Sequence, residues 1–275
     1  MSKTIEKGLS LLELFTEEKP SWSLEEISTH TKVPKATIIR ILQSFIEYGY
    51  IQKTTIERNE ILTEDSIYSL GLKFLQLGEL VASNLEVRKI ALPYMKSLQV
   101  NFNEAVQLVE RNGLVGIYIE KVESKSPVRL YTRVGRSAPL YAGACTRILL
   151  SFMEDEEIDK ILQHPMEIYT NNTPRTKQEV WQHIKKTRKE GFAYSYAELI
   201  EGTASIGVPI FNRKNEVEFS ISIAGFEASL PKTNINKYTD SLWYTAAQIS
   251  KKLGFIGLYP YGSQIINANE KGMGK

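Results

Sequence analysis

The hydrophobic period changes near Glu104 in this 275-residue chain. Upstream, apolar residues return every three or four positions. Downstream, stretches that alternate every second residue appear between helical ones. Such a chain cannot be all helical or all strand. It reads as α+β, with a helical N-terminal part followed by a mixed or antiparallel sheet with helices on its faces, and its length suits two domains.

Within the helical part the most specific stretch is Val33 to Leu42, a helix that begins at Pro34. Proline at a first helical position has the right φ and lacks an N–H that would be orphaned anyway. Ile38, Ile41, Leu42 and Phe45 fall on one apolar face, and Ala36, Thr37, Arg40 and Gln43 point outward. A helix start carrying Lys35, Thr37 and Arg40 with no acid beside it in sequence suits a DNA major groove, since its N–H groups and cations attract phosphate.

The flanking residues agree. Positions 4–17 form an amphipathic pattern with Ile5, Leu9, Leu12 and Phe15 along one stripe. Ser23-Leu24-Glu25-Glu26 is a capping box flanked by Trp22 and Ile27 as a hydrophobic staple. The helix it opens runs to Thr31, and a three-residue turn leads to Pro34. Three helices with a tight turn between the last two make a helix-turn-helix. Tyr50 to Lys53 and Ile61 to Thr63, around a polar tip at 57–60, predict a β-hairpin wing. Residues 70–100 predict two helices or one broken helix, with Gly78 and Pro93 as weak points. The first part serves as linker and dimerisation helix or as a simple core helix.

After Glu104, Ala105–Glu110 and Leu114–Ile119 flank a turn at Asn112-Gly113, a hairpin, and Val128–Arg133 alternates as a further strand. Pro139 to Leu150 is a loop entering a helix of small residues. A surface helix over 176–190, strands at 192–196, 203–211 and 217–224, and a closing helix over 234–253 follow, with a mobile tail after Gly257. The domains so read are 1–69 (winged helix-turn-helix), 70–85 (linker helix) and 86–256 (effector-binding), with 257–275 as tail.

Charge distribution refines this. Residues 1–60 hold eight Lys/Arg and nine Asp/Glu, a net of −1, which disfavours nonspecific electrostatic DNA binding and shifts the burden to dimerisation. Positions 121–147 hold six cations (Lys121, Lys125, Arg129, Arg133, Arg136, Arg147) against Glu123 alone, an excess that could draw in an anionic small molecule. Cys145 is the sole cysteine, so an internal disulfide and a cysteine-cluster metal site are excluded, and His30, His164 and His183 lack zinc spacing. No cofactor or metal is implied. No apolar stretch is long enough to span a membrane and no leader pattern opens the chain, so the expectation is a cytoplasmic protein.

Pro34-Lys35-Ala36-Thr37 with Arg40, Tyr68-Ser69-Leu70-Gly71 opening the linker, Val134 to Ala142 with Leu149-Leu150, Gly202 to Ile210, and Ser220 to Gly225 occur in an order and spacing that resembles the IclR family of bacterial transcriptional regulators, over about positions 4–255. The resemblance implies an N-terminal winged helix-turn-helix, a linker helix and a C-terminal GAF-like effector domain. It also implies dimers or dimers of dimers on palindromic operator DNA, and a small organic acid as effector. On that basis Ser23, Lys35, Ala36, Thr37 and Arg40 are the expected DNA contacts, and Tyr141, Ala142, Gly143, Ala144, Ser205 and Ser222 the expected effector contacts. Three departures stand out. The wing is longer than usual, Ser195, Ser205 and Ala224 stand where the family often has Asp, Cys and Ser, and Thr146 replaces a common glycine. Two other functions remain open at this stage: an effector-independent DNA-binding repressor, and an enzyme with a dimerising N-terminal domain. For the enzyme, Cys145 is the thiol candidate, and no nucleophile elbow or phosphate loop accompanies it.

Overall fold

The computed structural model describes residues 3–56, 65–126, 130 and 132–262. The chain divides into two compact units, residues 1–84 and 85–275.

The first unit contains α1 (Lys3–Leu12), β1 (Ser21–Ser23), α2 (Leu24–Thr31), α3 (Lys35–Glu47), β2 (Ile51–Ile56), β3 (Asp65–Leu70) and α4 (Lys73–Asn84). The capping box forms as read: Glu26 N–H donates to Ser23 Oγ at 3.2 Å, and Ser23 N–H donates to Glu26 Oε2 at 2.8 Å. Lys19 joins Glu26 at 2.7 Å. Trp22 and Ile27 enter one core with Leu11, Ile38, Ile41, Leu42, Ile51 and Tyr68, and burial of a side chain such as Ile38 is worth about 1.5–3 kcal/mol. Helix α1 ends at Leu12, five residues before the expected end, where a turn closes between Thr16 and Lys19.

The three strands pair antiparallel in the order β1-β3-β2. Tyr68, Ser69 and Leu70, expected to open the linker, are the end of β3, because Tyr68 pairs with Trp22 and buries its ring. The expected strand at Ile61–Thr63 and the wing tip lie outside the described residues. Gly71 follows directly, and a Cβ there would stand 2.1 Å from the Gly49 carbonyl oxygen, so only glycine fits. The helical break falls at Leu85, between α4 and α5, rather than at Gly78 or Pro93, which sit inside helices.

The second unit contains α5 (Glu86–Phe102), β4 (Ala105–Asn112), β5 (Val115–Val122), β6 (Ser137–Pro139), α6 (Ala144–Ser151), α7 (Asp155–Ile161), α8 (Lys177–Glu190), β7 (Ala193–Tyr196), β8 (Thr203–Phe211), β9 (Val217–Phe226) and α9 (Ile235–Lys252). Among the described residues its six strands run in the order β6-β5-β4-β9-β8-β7 with every pairing antiparallel, so of the two expected forms of sheet it takes the antiparallel one. The expected strand at Val128–Arg133 is absent from its described residues, Leu130, Thr132 and Arg133; the rest of it lies outside them, as do residues 263–275 of the expected tail. Within 258–262, Tyr259 is buried in the core and donates its hydroxyl to the Pro209 carbonyl at 2.6 Å, so that stretch is packed rather than mobile. Helix α7 had no periodicity long enough to be read in advance.

Helix α6 is buried along its whole length and packs on β8, β9 and β4 with α8 beside it, while α5 and α9 pack on each other and on the sheet. Gly207 of β8 permits this approach: a Cβ there would lie 3.1 Å from the backbone of Ala144 and Cys145. Gly116 of β5 likewise makes room for the Thr146 methyl group, which a Cβ would meet at 2.9 Å.

Candidate functional site

In the first unit, Pro34 is the N-cap of α3 rather than its first helical residue, and no side chain caps the helix. Ile38, Ile41 and Leu42 hold it to the core, which turns Ala36, Arg40 and Gln43 into solvent and leaves Thr37 half-buried. The Thr37 N–H already donates to the Pro34 carbonyl at 2.9 Å, which leaves the Lys35 and Ala36 N–H groups at the positive end of the helix dipole without a helical acceptor. Two of the five expected contacts already have internal partners. The Ser23 hydroxyl and N–H are used in the capping box, and the Lys35 ammonium pairs with Glu25. The acid missing near Lys35 in sequence is thus supplied by α2. Ile39, 48 % exposed, lines the groove between α3 and the wing together with Gln43 and Lys53. In the sequence Ile39 is marked only as an isoleucine beside Arg40, off the apolar face that Ile38, Ile41 and Leu42 define.

In the second unit, a cavity of about 100 Å³ lies between the start of α6 and the sheet. Gly207 faces α6, and side chains alternate along a strand, so Ser205 shares that face. Register places Ser195, Ser205 and Ala224 in one row across β7, β8 and β9. Gly143, Ala144 and Cys145 form the helical wall, and Gln107, Tyr118, Arg136, Tyr169 and Leu199 close the rest. Gln107 is buried, with its amide donating to Thr132 Oγ1 at 2.6 Å. Tyr118 is buried as well; desolvation raises its pKa, and Arg136 partly opposes the rise.

The cavity therefore collects Gly143, Ala144 and Ser205 of the expected effector contacts. The other three stand aside. Tyr141 is buried with its hydroxyl donating to the Glu167 carbonyl at 3.0 Å, Ala142 is fully buried, and Ser222 lies under Gln107, donating to its Oε1 at 3.4 Å. Gln107 was detectable, as an amide inside an apolar strand. Tyr118, Arg136, Tyr169 and Leu199 come from four separate segments, and nothing local marks them.

The N-terminus of α6 holds a carboxylate of the chain's own. Glu198 accepts the Gly143 N–H at 3.0 Å and pairs with the Arg147 guanidinium, both side chains almost fully buried. Arg147 also donates from NH1 to the Tyr194 carbonyl at 3.1 Å. The segment carrying Glu198 is pinned by Thr170 and Thr173, whose hydroxyls donate to the Ala197 and Glu198 carbonyls at 2.5 and 2.6 Å. The excess of cations read at 121–147 is accordingly reduced in space. Arg147 is neutralised by Glu198, from outside the stretch, and Lys121 is the cation that Glu123 offsets, at 2.9 Å, with the Leu130 and Thr132 carbonyls also accepting from it.

Cys145 has no nucleophile's surroundings. Its thiol is buried, with its pKa pushed up to about 11 by desolvation, which leaves it protonated at neutral pH. Among the described residues no group of His, Cys, Asp and Glu could hold a metal ion, and no helix is long and apolar enough to cross a membrane.

Two family models match the chain: the IclR helix-turn-helix domain over residues 4–55, and the bacterial transcriptional regulator IclR C-terminal domain over residues 79–251. The HTH-type transcriptional regulator KipR of Bacillus subtilis is 41 % identical over 255 residues, covering 92 % of this chain and 98 % of KipR. An IclR transcriptional regulator from Alicyclobacillus acidocaldarius superposes with a TM-score of 0.76 at 23 % identity, covering 92 % of this chain and all of the other. An IclR homolog from Microbacterium hydrocarbonoxydans, solved with 4-hydroxybenzoate, gives 0.73 at 18 % identity over 91 % of this chain and 99 % of the other.

Proposed function

The chain belongs to the IclR family of bacterial transcriptional regulators, and on that premise we propose that it binds a palindromic operator as a dimer and answers to a small anionic metabolite. The relatives and families it matches are regulators rather than enzymes, and its N-terminal unit is a helix-turn-helix DNA-binding domain. The observation that carries the finer reading is that one chain combines an exposed reading face on α3 with a partly open cavity on the sheet of its second unit, its apolar walls carrying a few polar groups.

On α3, Arg40 and Ala36 are the residues free to reach base edges, an arginine suiting guanine and a small apolar group a thymine methyl. Helix α4 supports the dimer: none of its residues is buried, and Leu75, Leu80 and Val81 are each 60 % exposed or more. An apolar row of this kind is covered by a second copy of the same surface in two-fold dimers, which in turn matches inverted half-sites.

The cavity, about 100 Å³, selects a compact ligand. A carboxylate there meets the hydroxyls of Ser195 and Ser205, the first-turn N–H groups of Ala144 and Cys145, and the Arg136 side of the wall; Glu198 keeps it from the Gly143 N–H. Binding that changes operator affinity must be changed by operator in the same proportion.

The test is a thermal-shift screen of small organic acids, with 4-hydroxybenzoate included as a probe, followed by calorimetry on wild type and Ser205→Leu in the presence and absence of operator DNA. Binding lost in Ser205→Leu and altered reciprocally by DNA is the expected result. Hits that bind Ser205→Leu as tightly as wild type, or a screen with no hits, would make the protein an effector-independent regulator.

A further inference from the structure

We propose that the second unit carries another small-oxyanion site, separate from the cavity over Ser195 and Ser205, between α8 and the outer edge of β7. A cavity of about 180 Å³ lies there, walled by Phe192 and Tyr194 and by polar groups from α6, α8 and the segment before α9. Tyr194 and Tyr196 alternate with Ser195 along β7, so this cavity and the first one take opposite sets of side chains from the same strand.

Two observations point to a ligand. Arg147 is 2 % exposed and lines the cavity, and its Nε–H has no hydrogen-bond partner, although NH1 and NH2 are both engaged. His183 Nδ1, on α8 and on the same cavity wall, is likewise buried without a partner. Among the described residues only four buried side-chain nitrogen or oxygen atoms are left in this condition, and two of them meet at this one cavity. A buried guanidinium N–H without an acceptor is costly and is normally answered by an oxygen.

Charge identifies the kind of oxygen. Lys186 and Lys232 add cations to the wall, against Glu190, which lies 4.0 Å from Lys186, and Glu198, whose carboxylate is already committed to Arg147 and Gly143. The fitting ligand is a carboxylate or phosphate group small enough for the space, one oxygen accepting from Arg147 Nε and another facing His183. Glu198 lines this cavity and accepts the N–H of Gly143, which lines the other, so filling either changes the field in the other.

The experiment titrates the full chain with inorganic phosphate and, separately, acetate at constant ionic strength. Calorimetry is read beside the ¹⁵Nε–H resonance of Arg147, assigned by its loss in Arg147→Lys. Wild type, Ser205→Leu, Lys232→Ala and His183→Phe are compared. The expected result is saturable binding by at least one probe that moves the Arg147 Nε signal, persists in Ser205→Leu, weakens several-fold in Lys232→Ala and weakens at least tenfold in His183→Phe. Whichever probe binds names the oxyanion. The site is overturned if neither probe moves the Nε signal, if binding disappears in Ser205→Leu, or if His183→Phe and Lys232→Ala both bind as wild type does. Lys232 is exposed, so a folding failure cannot imitate its effect.

Discussion

Replacing Glu198 by alanine should destabilise the second unit by about 4 kcal/mol. The carboxylate side chain is 6 % exposed and its partner Arg147 3 % exposed, so deletion strands a guanidinium that water cannot reach. Breaking a buried pair from one side costs about 3–5 kcal/mol. The Gly143 N–H loses its acceptor as well, a loss of roughly 1–3 kcal/mol that overlaps the first because both bonds share one oxygen. Glu198→Gln keeps the shape and an acceptor and should cost about half as much. The double variant Arg147→Met, Glu198→Leu should recover at least half of the alanine loss, since no uncompensated charge remains. Urea unfolding in a Trp22→Phe background isolates the unit, because the other two tryptophans, Trp181 and Trp243, both belong to it. With a slope near 2 kcal/mol per molar urea, the alanine variant should unfold at roughly 2 M less denaturant. A loss under about 1 kcal/mol for Glu198→Ala, or a double variant as unstable as the sum of its singles, would refute the pair's role.

Glu25→Gln releases Lys35, so operator binding should tighten and the slope of log affinity against log salt should steepen by about one; anisotropy titrations across salt check this, and an unchanged slope contradicts it. Leu75→Asp with Leu80→Asp should convert the protein to monomer in sedimentation equilibrium while its circular dichroism stays unchanged, because both side chains are exposed. Lys19, then Ser23, holds the Glu26 carboxyl down at about 2. Its contribution is therefore present above its ordinary value of 4.5 and fades as pH falls toward 2. Glu26→Gln should be the less stable protein at pH 6 and lose that deficit near pH 2, as read from Trp22 emission in a Trp181→Phe, Trp243→Phe background, and a deficit that persists at pH 2 would assign the effect to something other than the charge.

What could be read from the sequence was what is local. The capping box spans four residues and depends on nothing outside them, and the apolar face of α3 follows from helical geometry alone. The β4–β5 hairpin was marked by its own turn. Errors arose where a distant segment decides the outcome. Tyr68 resembles the start of a linker until Trp22, far earlier in the chain, is laid beside it as a strand partner. Arg147 counted as one more cation in a basic stretch, because Glu198 sits 51 residues further on. Lys35 looked free because Glu25 belongs to another helix. The cavity was found through Gly143, Ala144 and Ser205, yet Tyr118, Arg136 and Tyr169 meet only once the sheet has closed.

The bond from Arg147 to the Tyr194 carbonyl also governs how the protein can assemble. β7 is an outermost strand, and a strand with unpaired carbonyls is a template on which another chain can extend the sheet. Here one of those acceptors is already taken by a buried cation, and the strand is only four residues long. The opposite border, β6, is three residues long and includes Pro139, which has no N–H to offer. Neither border is suited to templated growth, so among the described residues the hydrogen-bonded sheet ends at six strands. Multimers of this chain have to be built through side-chain surfaces, which single substitutions can tune, rather than by ladder extension into fibres.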